Sequence, residues 1–548
     1  MTRLPTVLRT LVHLRPAQLR AQLHHGLFGL AGPRQVAGEA PTLAIERPHT
    51  AFLMPPSHVK ALGETRIELL RTPFDLAPET DWGTKEHGPL FTYHLHQHEY
   101  LRLPEFTPAY RAKHLLNWIQ ANPGGLGWDP HPISLRLICW GKLLVTSGQL
   151  DADEHLRKEL LRSMANQSES LAQGLEVRLQ ANHLLSNLIS VTFVGLLLDG
   201  SLSAAWRGRA DALLLELDEQ VRPDGGHEER SPMYHCLLLE NLLDLLNLCL
   251  ADPERAPAQL VDGLRGTVSR MLGALEIWTH LDGRIALFSD SAFDVAGEPR
   301  ALREYAGRLG ISSAGNSHTG FLPQTGYLRL RAGEFDLIAS VAGPAPAHQP
   351  GHAHCDALAF ELSVAGDRLV TDTGLFEYIP GPRRDRARAT ASHATIQIDG
   401  EEQAEIWAAH RIGRRPDVEL TAWDAAGSAE ATCRGWSRHA PLHRRLFSVD
   451  DRSVTITDWI EGAGHDLRIC LPMDPAWQVE LSAGRARATR ISDDGASSNV
   501  EIELSDCFEW VLERQPYYPT FGCEVERFVL VGVGSRCVEA RTQLRRVG

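Results

Sequence analysis

The chain has 548 residues, 43% hydrophobic and 23% charged, with a formal net charge of −14. That length exceeds one ordinary core and implies two domains, and the composition is that of a soluble globular protein. The negative balance excludes nucleic acid as a general partner, while a polyanion held in a local basic pocket stays possible.

The opening segment, MTRLPTVLRTLVHLRPAQLRAQLHHGLFGLAG, interrupts every apolar run with arginine. It contains no continuous apolar h-region and no transmembrane span, which predicts a cytoplasmic location, with periplasmic or non-classical export left open. The segment reads as an amphipathic helix, either docked on the main domain or lying on a membrane surface. The nine cysteines are scattered from Cys139 to Cys537 without a CxxC pair. That spacing predicts reduced thiols rather than a disulfide framework.

From about residue 106 to 310 apolar residues recur at three- and four-residue spacing, as in PISLRLICWGKLLVTSG and PMYHCLLLENLLDLLNLCL. Short breaks such as NPGG and RPDGG separate the segments. Repeated helix pairs of similar length predict a helical toroid or solenoid. After about 320 the period becomes two, in GYLRLRAGEFDLIASVAG, RRLFSVDDRSVTITDWIEG and ERFVLVGVG. Those are short strands joined by Gly/Asp turns, and they predict an antiparallel sandwich. The expected organisation is an α+β multidomain chain: a partly helical extension over 1–80, a toroid over 81–320 and a β-sandwich over 321–548.

Three stretches carry chemistry. In GHAHCDALAF, 351–360, an extended strand would point His352, His354 and Asp356 the same way. With Asp372 in LVTDTG and His393 in SHATIQIDG, two imidazoles and a carboxylate suit zinc, or manganese with further oxygen ligands. A plain hairpin centred near Gly366 would set Asp372 opposite Phe360 rather than His354, so spacing alone does not assemble the site. In QANHLLSN, Asn182 and His183 open an apolar helix, where Asn182 also reads as an N-cap. In PDGGHEERSPMYH a Gly-rich turn gathers His227, Glu228, Glu229, Tyr234 and His235, with Ser231 as N-cap and Pro232 at N1.

Together these residues resemble the heparinase II/III-like polysaccharide lyases. The resemblance is carried by GHAHCDALAFELSVAGDRLVTDTG and RARATASHATIQIDG. It is supported in the same order by FTYHLHQHEYL, WDPHPISLRLICW, NHLLSN, PDGGHEERSPMYH and YYPTFG. It implies an (α/α) toroid followed by an antiparallel β-sandwich, and β-elimination across a uronic acid in an anionic polysaccharide of glycosaminoglycan-like or alginate-like type. It implies Asn182, with His183 beside it, as the group facing the uronate carboxylate. Tyr234 and His352 would be the acid–base pair, and which of them is the base stays open. One divalent ion, zinc ahead of manganese, is implied at His354, Asp372 and His393. Arg136, Glu229 and Arg388 are candidate substrate contacts, and Arg383 a further cation, although each arginine also reads as a surface or loop residue. His94 and Cys355 depart from the family pattern. Two other classes fit the same motifs: a metal-dependent glycan hydrolase, and a catalytically silent or biosynthesis-associated polysaccharide-binding protein.

Overall fold

The computed structural model describes all residues except 1–3, 30–31, 77–79, 122–123, 316–319, 438, 463, 492–494, 536–537 and 548. Cys537 lies outside the described residues; the other eight cysteines are free thiols.

Helices alternate between two layers. Gly88–Gln97, Pro130–Val145, Ala181–Leu197 and Pro232–Ala251 contact one another in sequence and form an inner ring. Pro108–Ala121, Glu154–Gln173, Ala210–Gln220 and Ala258–Trp278 pack outside them. The residue types explain the layering. Helix 181–197 is mostly apolar and almost wholly buried, whereas helix 154–173 keeps a polar face. Helix 232–251 is long and apolar enough by composition to cross a membrane, but it is mostly buried in this core. Its start is as the sequence predicts: Ser231 caps it by accepting from Tyr234 N at 3.2 Å, and Pro232 follows, where its missing N–H costs nothing.

The C-terminal half is antiparallel in every strand ladder. A five-stranded sheet (Phe321–Leu322, Tyr327–Ala332, Phe335–Ser340, Phe360–Val364, Asp367–Val370) packs on an eight-stranded sheet that runs from Asp417–Asp424 to Gln478–Ser482. They share one core, including Leu337, Phe360, Phe447 and Ile502. The alternating burial of Leu442–Val449 records one face turned inward. A third, four-stranded sheet is built around Leu467–Pro472 and Val525–Gly534. A smaller cluster with Trp278, Phe288, Tyr327 and Ile338 joins the end of helix Ala258–Trp278 to the first sheet.

The extension begins with helices Leu4–Leu11 and Pro16–Phe28, both docked. Arg9 reaches Glu405 at 2.6 Å, Trp407 Nε1 donates to Thr10, and buried Gln18 donates to the carbonyls of Leu179 and His348.

Candidate active site

The first turns of the inner helices converge on one cleft of about 650 Å³, lined by Tyr93, His131, Asn182, His183 and Tyr234. The β domain closes it with His352, Tyr378 and His410. A smaller chamber of about 180 Å³ continues past Asn182 and Tyr234 towards His58, His94 and Lys142.

His352 and His354 do not lie on a strand face. Residues 351–359 are irregular, with Leu358 at φ +60°, and the strand starts only at Phe360. The two imidazoles share a direction because both bind one buried carboxylate, Asp290. Its oxygens accept from His352 Nδ1 and His354 Nε2, each at 2.8 Å. Arg384 completes the cluster with a two-pronged contact, one arm at 2.9 Å. Burial would raise the Asp290 carboxyl, but Arg384 and the two histidines hold it well below its usual range. Asp356 instead accepts from the Ser289 N–H and hydroxyl, fixing the loop that carries Asp290. Ser289 is left-handed (φ +55°), as are Gln180 and Ala181 before Asn182 and Arg230 after Glu229. Side-chain-bearing residues held in that region are costly, and such strain collects at functional sites.

Tyr234 lies against His352 with ring centroids 4.0 Å apart, and its hydroxyl meets that of Tyr378 at 2.7 Å. Burial pushes the Tyr234 phenol well above its ordinary value, helped by Asp290 and Glu229. Across the cleft, Asn182 does not cap its helix: Gln180 occupies that position, and no side-chain cap bond is made. Its main-chain N–H is held by Glu229 Oε1 at 3.1 Å, and its side-chain amide faces the cleft. His183 Nδ1 sits 3.2 Å from Glu176 Oε2. Burial lowers that imidazole, but the carboxylate outweighs it and the net shift is upward. Glu176 falls to about 2: burial opposes ionisation, and His183 overcomes it.

Three substrate-contact expectations are corrected. Arg136 is buried inside the toroid, donating to Gln167 and the His96 carbonyl beneath the Trp118 ring. Arg388 is equally buried and donates to the carbonyls of Ala353, Ala408 and Ala409. Neither is a surface arginine, and neither lines the cleft. Glu229 is 1% exposed and lies behind the site, 3.9 Å from His352 Nε2. Arg383 is half exposed and pairs with Glu524. Among the described residues, Arg411 does line the cleft.

His354, Asp372 and His393 are all buried and bring one donor atom each within 4.8 Å of the others. His354 Nδ1 and His393 Nε2 have no hydrogen-bond partner, so two buried imidazole nitrogens are left for a ligand. The residues therefore fit a small divalent ion. The hairpin is not plain: Asp367 pairs with Val364 and Arg368 with Ser363, a bulge then sets Val370 against Leu362, and the ladder ends at Val370 before Asp372. The loop fold, not the hairpin, brings His354 across. Asp372 also accepts from His393 Nδ1 at 2.9 Å. A second group, His131, Glu176 and His183, is as close, but there Glu176 already accepts from Asn187.

Two family models match: Heparinase II/III N-terminus over residues 112–296, and Heparinase II/III-like, C-terminal over 314–516. The chain belongs to the heparinase II/III-like family. Among solved structures, this heparinase II/III-like chain is similar to a heparinase III gene product (TM-score 0.62, 17% identity, 86% of this chain and 82% of that one). It is also similar to another heparinase III (TM-score 0.64, 16% identity, 83% and 76%) and to heparan sulfate lyase HepC from Pedobacter heparinus (TM-score 0.55, 18% identity, 87% and 79%). These likenesses show the toroid-plus-sandwich fold. The chain is 25% identical over 407 residues to FtsZ-localized protein C of Caulobacter vibrioides, covering 69% of this chain and 65% of that relative's length.

Asp290, Arg384 and Tyr378 were not legible as site residues. The signals present were the polar SDS triplet after IALF and the Tyr of LFEYIPG, both in segments without periodicity.

Proposed function

We propose that the protein is a polysaccharide lyase that breaks a uronic-acid-containing polymer by β-elimination. The observation that carries this reading is the His352–Tyr234 pair facing Asn182 across the cleft, with His352 oriented by buried Asp290. Asp290 holds the Nδ1 side of the ring, which leaves Nε2 as the lone pair that takes the C5 proton, and its charge stabilises the resulting imidazolium. Tyr234, kept neutral by burial, suits protonation of the leaving C4 oxygen. The Asn182 amide donates to the uronate carboxylate as negative charge builds up at C5. His183, raised by Glu176, adds positive charge on the same side. The inner helices present their N-termini to the cleft, where the helix dipoles favour an anion.

We further propose one divalent ion, zinc ahead of manganese, held by His354, Asp372 and His393. Its contribution is to tie three loops together, because elimination consumes no water. The free, cleft-facing Asn182 amide and the oriented His352 favour catalysis over a fold retained for binding alone.

A screen of heparan, chondroitin, hyaluronan and alginate tests the reading. Elimination leaves a conjugated, ultraviolet-absorbing sugar end. Chain cleavage without that absorbance would assign a hydrolase, and no cleavage of any uronate polymer would leave a binding protein.

A further inference from the structure

Residues 1–38 contain five arginines and no aspartate or glutamate, in a chain whose net charge is −14. The two helices of this segment spend their polar side chains on docking: Thr6 and Arg9 on Glu405, Thr10 on Trp407, Gln18 on the Leu179 and His348 carbonyls, Arg15 on Glu219. Their outward faces carry exposed apolar residues. Leu8 and Val12 are 54% and 78% exposed, and Leu19, Leu23 and Leu27, spaced as one helical stripe, are 38%, 69% and 76% exposed. Arg20, next to Leu19, and Arg34 are exposed, and Arg15, Arg222 and Arg415 all lie near enough to His348 to act on its imidazole. Exposed leucines on helices docked through their polar side reverse the usual arrangement of a packed amphipathic helix.

We propose that this face docks the protein on an anionic phospholipid bilayer, with the leucines entering the headgroup boundary and the arginines meeting lipid charge. Charge decides for lipid over a second copy of the chain, because this segment carries no carboxylate to answer its own arginines. The position has a consequence for the cleft. Gln18 rests on Leu179 and His348, a few residues from Asn182 and His352, so the bilayer would lie beside the cleft mouth. A surface-anchored polymer is the substrate such an arrangement meets first. The docking does not depend on the proposed reaction.

Sedimentation of the full chain with vesicles tests it. The protein is expected to pellet with phosphatidylglycerol-containing vesicles and not with phosphatidylcholine vesicles, with the bound fraction falling as salt is raised. Leu19→Ser, Leu23→Ser and Leu27→Ser combined should lower the bound fraction at least tenfold, at an unchanged melting temperature. Arg20→Glu with Arg34→Glu should weaken binding to the anionic vesicles and leave folding intact. Absence of vesicle binding, equal binding to both lipids, or a triple variant that binds as well as wild type would overturn the proposal. So would a wild-type dimer that the triple variant converts to a monomer without any lipid effect, which would make the face an interface between copies.

Discussion

Tyr234 shows how much a single position is asked to do. Its hydroxyl is spent on Tyr378 and its ring on His352, while its main-chain N–H closes the Ser231 cap. Tyr234→Phe keeps the ring packing and the cap and removes one hydrogen bond, so the stability loss should be about 1 kcal/mol. If the phenol protonates the leaving oxygen, kcat should fall on the order of 100-fold or more with the melting curve nearly unchanged. Initial rates of unsaturated product beside thermal melts separate these quantities, and a fully active variant would refute the assigned role. Asn182 and Tyr234 were singled out in the sequence through the motifs NHLLSN and PDGGHEERSPMYH, which carry the resemblance to the family. Asp290 was not, because its importance arises from His352, His354 and Arg384, which lie 62 to 94 residues away.

At the scale of strands, Arg445 and Asp458 face each other in neighbouring strands of the large sheet, both buried. Asp458 accepts from Arg445 at 2.6 and 3.1 Å and from His443 at 2.6 Å, while Arg445 also donates to the Leu358 and Ala394 carbonyls. The pair thus links the sheet to the loops bearing His354 and His393. Asp458→Asn would leave a buried guanidinium without its counter-charge, a loss of about 3–5 kcal/mol in urea unfolding at neutral pH. Burial raises the Asp458 carboxyl, but Arg445 outweighs it and brings it to about 2. A depressed carboxylate contributes stability above its unfolded value near 4 and loses it as pH falls through its folded value. That contribution, about 2 kcal/mol, should disappear between about pH 4 and pH 2. The wild-type advantage over Asp458→Asn should shrink in the same window; a gap that stays constant would assign the stabilisation elsewhere.

For the molecule as a whole, the proposed metal is the tie most open to test. Three separate loops deliver His354, Asp372 and His393, and two of their ring nitrogens have no other partner. Elemental analysis of purified protein should find one stoichiometric divalent ion. Binding energy at such a site is folding energy, so chelation should lower the melting temperature. His393→Ala should lower metal content and melting temperature together. A stable, fully active protein without metal would remove the site from the proposal.

Sequence by itself determined the order of the two halves, because hydrophobic period is a local property: 3.6 to the end of the helices, 2 beyond Phe321. It also picked out Asn182, Tyr234, His352 and the His354–Asp372–His393 set as candidates, and the fold brings the first three to one cleft and the last three together. It misjudged what geometry alone decides. An HxH on a strand turned out to be a loop organised by Asp290, and Arg136 and Arg388, read as surface or loop residues, proved to be buried and spent on main-chain carbonyls. Local spacing specifies which way a residue faces within its own element. What that face meets is set by tertiary packing: the inner helices bring residues far apart in the chain to one cleft, and the β domain closes it.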